Sequence, residues 1–98
     1  MSKCDKTITI TNKLGLHARA AAKLIRLSEG FTSSIKLIKI KNSISADARS
    51  ISSILALSAS KGTILKLEIE GLDEGLAFDA IVKLFENGFG ELIDRNEY

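Results

Sequence analysis

The residues with the clearest chemical potential are His17 and Arg19, which follow the turn at Gly15 and open a segment of helical periodicity. The first N–H groups of a helix have no intrahelical partner and the helix dipole favours negative charge there, so an anion is stabilised at this point. An imidazole is a nucleophile near neutral pH, and a guanidinium can donate hydrogen bonds to phosphoryl oxygens. The pair fits a phosphoryl acceptor. An exposed histidine beside an ordinary surface arginine has the same spacing, so both interpretations stay open here.

A short strand is expected before these two residues and an amphipathic helix after them. Thr and Ile alternate over residues 7–11, which predicts a half-buried strand. Residues 18–29 form the predicted helix, and Gly30 ends it. The apolar stripe of this helix is Ala20, Leu24, Leu27 and Phe31.

Three further strands and two further helices follow. Residues 34–41 are strand-like, with a change of phase midway that indicates a bulge or a strong twist, and residues 44–47 form a brief returning strand. Ser50 is the candidate N-cap of a short helix that ends by Lys61-Gly62. Residues 63–70 alternate most clearly, and two acids at 73–74 favour the start of a last helix that runs to about residue 87.

The order β-α-β-β-α-β-α predicts an α+β fold of the open-faced β-sandwich type, in which three helices cover one face of a four-stranded antiparallel sheet. The chain has 98 residues, no proline and no internal repeat, so we expect one domain over 1–98 with a polar tail from about residue 91. A composition of 45% hydrophobic and 27% charged residues is typical of folded globular proteins.

Several classes of protein have no support in the composition. No apolar run is long enough to span a membrane and no signal peptide opens the chain, so we expect a cytoplasmic protein with no membrane partner. One cysteine, Cys4, and one histidine give neither a disulfide nor a metal site, and we expect no cofactor. Glu68, Glu70, Asp73 and Glu74 alternate on a strand or open a helix, and we assign them no chemistry.

The charge distribution indicates a protein partner. Residues 1–41 contain nine Lys or Arg and two acids, whereas residues 42–98 contain five and ten. Binding to nucleic acid is not expected, because RNA-binding sheets stack bases on strand aromatics and no predicted strand contains an aromatic residue. The basic half is better interpreted as a docking surface for an acidic protein.

The heptapeptide Gly15-Leu16-His17-Ala18-Arg19-Ala20-Ala21 resembles the signature Gly-Leu-His-x-Arg-Pro-Ala of the HPr family. These are the histidine-containing phosphocarrier proteins of the phosphoenolpyruvate-dependent phosphotransferase system. The similarity spans nearly the whole chain, from the Thr-Ile-Thr strand to the final helix. Residues 10–15 and 88–91 resemble the nitrogen-related paralogue, NPr, more than the sugar-pathway carrier.

The resemblance implies that His17 accepts a phosphoryl group on Nδ1 from phosphorylated enzyme I and passes it to a histidine of an enzyme IIA domain. Arg19 would hold the phosphoryl oxygens. Ala20 replaces the family's proline, which loosens the helix start slightly and restores a backbone donor, so we expect the chemistry to survive with an altered rate. Such a carrier is a substrate of its partners and not an enzyme. We expect an exposed His17 that packs little, with no second acid–base residue beside it.

Other matched positions imply regulation and docking. Ser50 matches the serine that HPr kinase/phosphorylase modifies in some bacterial carriers, although its everyday role is expected to be the N-cap. Ile51, Leu55 and Arg26 match partner-contact positions, while Ser52 stands where many members have a larger apolar residue. The alternative function is a regulatory binding module of the same fold, controlled by phosphorylation at His17 or Ser50.

Overall fold

Four strands form one antiparallel sheet in a computed structural model of the protein, which describes residues 4–91. The strands are β1 (Cys4–Thr9), β2 (Ser34–Lys39), β3 (Ile44–Asp47) and β4 (Ile64–Glu70). The helices are α1 (Ala18–Ser28), α2 (Ile51–Ala56) and α3 (Glu74–Glu86), and a 3-10 turn follows at Gly88–Gly90. The strand order is β1-β4-β2-β3. The predicted fold class and element order are confirmed.

One face of the sheet is apolar because its inward-pointing residues come into register. Leu65 of β4 lies opposite Ile8 of β1, and Leu67 lies opposite Leu37 of β2. All four side chains are buried. The helices pack on this face, since α1 contacts α2 and α3, and α3 contacts β1 and β4. The alternation predicted for residues 63–70 therefore marks the strand at the centre of the core.

The change of phase in the second strand is not caused by a bulge. The pairing of β2 with β4 runs without interruption from Ser34 to Lys39, so a bulge was the wrong prediction. Lys39 lies opposite the buried Leu65 and its Nζ donates to the backbone oxygens of Leu57 at 2.9 Å and Ser58 at 3.4 Å. A lysine therefore occupies an apolar-phase position because its ammonium group satisfies carbonyls at the end of α2.

Several element boundaries differ from those expected. β1 begins at Cys4 and ends at Thr9, whereas residues 7–11 were predicted; its pairing with β4 runs from Cys4 opposite Ile69 to Thr9 opposite Ile64. α2 ends at Ala56 and not near Lys61, since Ser58 takes a left-handed conformation with φ 51°. The predicted apolar stripe of α1 is only partly right: its fully buried positions include Ala21 and Ser28.

Asp73 fastens the loop between α1 and β2 to the start of α3. The Ser33 hydroxyl and the N–H groups of Thr32 and Ser33 all donate to its carboxylate. These hydrogen bonds lower the pKa of Asp73 from 3.8 to about 2. The acid was expected only to favour a helix N-terminus, but its carboxylate makes no capping bond to α3 and joins two distant segments.

Replacing Asp73 with asparagine is expected to remove a pH-dependent part of the stability. The pKa of Asp73 is lower in the folded state than in the unfolded chain, where it is about 4. The carboxylate therefore adds its full contribution to the free energy of unfolding above about pH 4, and this contribution is lost as the pH falls towards about 2. The difference in Tm between the parent and Asp73→Asn should therefore be constant near pH 7 and shrink below about pH 5. Thermal unfolding followed by circular dichroism checks this, with the exposed Asp79→Asn as control. A difference that persists unchanged down to pH 2 would contradict the assignment.

Within residues 4–91, no helix has the length and hydropathy that crossing a membrane requires.

Candidate functional site

The loop before His17 is fixed by hydrogen bonds to itself and to the segment after α2. Gly15 has φ 66° and its N–H donates to the Asn12 oxygen at 3.1 Å, which closes the turn. The Asn12 side chain donates to the Gly15 oxygen at 2.8 Å. The buried Leu16 donates its N–H to the Ala59 oxygen, also at 2.8 Å. The backbone therefore arrives at His17 in one defined direction.

His17 is the N-cap residue of α1. Its backbone is extended, with φ −78° and ψ 179°, and its carbonyl accepts the Ala21 N–H at 2.8 Å. Its ring Nδ1 accepts the Arg19 N–H at 3.3 Å. An imidazole takes the place of the usual Ser, Thr or Asp side chain, so the Nδ1 lone pair faces the first turn of the helix. This is the end of a helix where a negatively charged group is stabilised.

A second acid–base group lies beside the histidine, contrary to expectation. The Glu91 Oε2 atom is 2.8 Å from His17 Nε2, and Glu91 Oε1 accepts a hydrogen bond from Asn12 Nδ2 at 2.9 Å. The His17 side chain is only 24% exposed and that of Glu91 only 20%. The prediction of an exposed His17 ring is therefore wrong. Burial opposes the charged form of Glu91, but the hydrogen bonds from Asn12 and His17, together with electrostatic attraction to His17 and Lys23, hold its pKa below the ordinary value.

Glu91 reaches the site because the chain after α3 folds back in a tight turn. Gly88, Phe89 and Gly90 all have positive φ, and the Phe89 side chain is buried. Its ring packs edge-on against Phe85 with centroids 4.9 Å apart. Lys23 Nζ of α1 donates to the Phe89 oxygen at 2.6 Å. The predicted polar tail thus begins with a residue that is anchored at the site.

The two arginines of α1 are both exposed, at opposite ends of the helix. The Arg19 guanidinium makes no hydrogen bond or ion pair within residues 4–91, so it can turn towards an anion at His17. Arg26 lies in the last turn, about 10 Å further along the axis, where a cation complements the helix dipole. Ala20, at the family's proline position, is fully buried. The structure therefore brings Arg19 and His17 together but not Arg26.

The predicted residues of α2 lie where the sequence analysis placed them. The Ser50 hydroxyl accepts the Ser53 N–H at 3.3 Å, which confirms the N-cap. Phosphorylation of Ser50 stays a prediction. Ile51 and Leu55 are 44% and 41% exposed, although they lie on a helix whose Ile54 is fully buried. Leu14, in the loop before His17, is a further exposed apolar residue that sequence reasoning did not single out.

Comparisons with known proteins identify the family to which the chain belongs. A family model described as the PTS HPr component phosphorylation site matches residues 4–87. The phosphocarrier protein HPr of Cupriavidus necator is 47% identical over 87 residues, covering 89% of this chain and 96% of the relative. The phosphocarrier protein NPr of Escherichia coli strain K12 is 40% identical over 86 residues, covering 88% and 94%.

The structural comparison points the same way. The crystal structure of HPr from Thermoanaerobacter tengcongensis superimposes with a TM-score of 0.85 at 41% identity, covering 92% of this chain and 99% of that one. The similarity thus extends over the sheet, the helices and the loop that holds His17. The chain belongs to the HPr family, the phosphocarrier proteins of the phosphotransferase system.

Proposed function

We propose that the protein is a cytoplasmic phosphoryl carrier in which His17 accepts a phosphoryl group on Nδ1 from phosphorylated enzyme I and passes it to a histidine of an enzyme IIA domain. The single observation that carries this is the position of the ring as the N-cap of α1, with Nδ1 directed at the Arg19 N–H. A phosphoryl group on Nδ1 would sit at the positive end of the helix. The carrier is then a substrate of both partners and not an enzyme.

The charges around His17 favour a bound phosphoryl group. The first-turn N–H group of the exposed Ala18 has no carbonyl partner within the helix, so it is a donor for a phosphoryl oxygen. The exposed Arg19 adds a guanidinium whose geometry suits phosphoryl oxygens. Ala20 keeps an N–H that the family's proline lacks, but Ala20 is fully buried, so this N–H is not offered to a bound phosphoryl group.

The proposed docking surface joins the exposed residues of α1 and α2. These helices pack together, and the bond from Leu16 to Ala59 brings the His17 loop against the end of α2. We propose Ile51 and Leu55 as the apolar contacts and Arg26 as a basic contact. Exposed apolar residues with a charge at their margin are typical of a protein interface, and the charge fits an acidic partner. HPr kinase/phosphorylase, acting on Ser50, is a further proposed partner.

Intact mass spectrometry after incubation with phosphoenolpyruvate and enzyme I tests the proposal. Enzyme I of the general type and its nitrogen-type paralogue are used in parallel, and the faster reaction identifies the branch. We expect the gain of one acid-labile phosphoryl group, which should then pass to an enzyme IIA. No gain with either enzyme I would reject the carrier function and favour the regulatory module.

Replacing Arg19 with alanine is expected to slow phosphoryl acceptance about tenfold, corresponding to about 1.4 kcal/mol of transition-state stabilisation. The guanidinium compensates charge on the transferring group, whereas the His17 nucleophile is untouched. Single-turnover transfer from phosphorylated enzyme I measures the effect. Lys36→Ala, which removes an exposed cation from the sheet, is the matched control for net charge. A rate equal to that of the parent would remove Arg19 from the site.

A further inference from the structure

The Glu91 carboxylate has a different fixed partner on each oxygen. Oε2 lies 2.8 Å from His17 Nε2 and Oε1 accepts from Asn12 Nδ2 at 2.9 Å. Asn12 is fully buried, and the same amide nitrogen also donates to the Gly15 oxygen at 2.8 Å. The Gly15 oxygen and Glu91 Oε1 can only accept hydrogen bonds, so both must face the NH2 group of Asn12. This fixes the orientation of the Asn12 side-chain amide. Asn12 is therefore a rigid donor that holds the carboxylate against the ring.

The turn that carries Glu91 is maintained in an unfavourable conformation. Phe89 has φ 57°, in the left-handed region that non-glycine residues rarely adopt. Burial of its ring against Phe85 and the bond from Lys23 Nζ to its carbonyl hold it there. Backbone strain retained by the surrounding packing is common where a side chain must be delivered to a functional site. Here the side chain delivered is Glu91.

The contacts of the two ring nitrogens select one tautomer of His17. A neutral imidazole has one N–H and one lone pair. The Glu91 carboxylate can only accept, so it favours the proton on Nε2, and the Arg19 N–H can only donate, so it favours the lone pair on Nδ1. The two contacts agree. They leave Nδ1 as the nucleophile and keep the proton on the nitrogen that does not react.

We propose that Glu91 is a positioning residue that retains the Nε2 proton throughout phosphoryl transfer in both directions, an inference that rests on the proposed carrier function. On acceptance, the Nδ1 lone pair forms the bond to phosphorus, and the donor's bond breaks with its electron pair remaining on the donor. The ring becomes an imidazolium paired with the carboxylate. On donation, a lone pair of the acceptor's nitrogen forms the new bond to phosphorus, the Nδ1–phosphorus electron pair returns to Nδ1, and the ring is neutral again. No proton enters or leaves His17 in either step.

The comparison of Glu91→Gln with Glu91→Ala tests this role. In Glu91→Gln, the amide oxygen takes the bond from Asn12, so its NH2 group faces His17 Nε2. This contact, at 2.8 Å in the parent, is shorter than the 3.3 Å bond from the Arg19 N–H to Nδ1, so we expect it to move the proton onto Nδ1. We expect phosphoryl acceptance to fall on the order of 100-fold in Glu91→Gln, as when a wrong tautomer is imposed on a catalytic histidine, but only about tenfold in Glu91→Ala. A merely structural role predicts the reverse order, because glutamine has the shape of glutamate.

Nitrogen NMR of the His17 ring in the unphosphorylated protein gives an independent readout. We expect the Nε2–H form in the parent, the Nδ1–H form in Glu91→Gln and a mixture in Glu91→Ala. The control is Glu86→Gln, which removes an exposed carboxylate near the same turn and should change neither measurement. An unchanged tautomer, or a Glu91→Gln rate at or above that of Glu91→Ala, would overturn the inference. A parent that accepts no phosphoryl group rejects the carrier function instead, while the ring tautomer still decides the role of Glu91.

Discussion

Replacing His17 with alanine is expected to abolish phosphoryl acceptance while the fold is retained. Within residues 4–91 there is no second histidine, so no other side chain in that part of the chain offers a ring nitrogen at a helix N-terminus. The loss of the N-cap contact and of one hydrogen bond to Glu91 should lower the free energy of unfolding by about 1–2 kcal/mol. Asn12 continues to hold the carboxylate, which limits the cost. Intact mass after incubation with phosphorylated enzyme I measures acceptance, and thermal unfolding measures stability.

Two results would contradict this expectation in different ways. An acid-labile phosphoryl group on His17→Ala would place the acceptor elsewhere in the chain. Loss of cooperative unfolding would instead mean that the ring is a structural element of the α1 N-terminus. The Ser50→Ala variant is the matched control, because Ser50 is also an N-cap residue and its hydroxyl accepts the Ser53 N–H. It should lose about 1 kcal/mol of stability and no phosphoryl acceptance.

Replacing Gly15 with alanine is expected to produce the largest loss of stability. The new Cβ would lie against the Ala59 oxygen and 2.8 Å from Ser60 Cα, in a residue whose φ is +66°. Backbone strain costs about 1 kcal/mol, and displacement of the segment after α2 adds to it. Together they should lower the free energy of unfolding by roughly 3 kcal/mol. The bond from Leu16 to Ala59 should break, so the His17 loop moves and phosphoryl acceptance falls with it.

Gly62→Ala separates strain from close approach. Gly62 also has a positive φ, +91°, but nothing lies within 4 Å of a Cβ built there. It should therefore show the strain alone, about 1 kcal/mol, with acceptance unchanged. Denaturant unfolding of the two variants gives the difference directly. Equal losses would show that the contact between the Gly15 loop and the segment after α2 is not close in solution.

The fold could be predicted from periodicity because the sheet is apolar on one face only. Leu65, Leu67 and Ile69 alternate with charged residues, and all three are fully buried. Periodicity failed at Lys39, since a residue counted as polar lies in the apolar phase and uses its ammonium group on the carbonyls of Leu57 and Ser58. A pattern of residue types does not reveal which backbone oxygens a long side chain can reach.

The site could be predicted only as far as its local part extends. His17 and Arg19 are two residues apart and share a helix end, so their proximity follows from the chain itself. Glu91 is 74 residues from His17 and no helical or strand spacing connects them. The available signal was the sequence Gly88-Phe89-Gly90, an aromatic between two glycines directly after a helix, which indicates a buried turn and not a frayed tail.

Glu91 is carried by the turn at Gly88–Gly90, so its contact with the ring requires that this turn be closed, and short segments of this kind open locally with their own free energy. Such an opening is local: α3 and the sheet can stay intact while the turn opens. The fraction of molecules ready to react is then set by the opening free energy of a few residues, and the apparent rate is reduced by the open fraction. Two carriers of equal global stability can therefore differ in the rate of transfer, and a partner that draws Lys23 away from the Phe89 carbonyl would change that rate without touching His17.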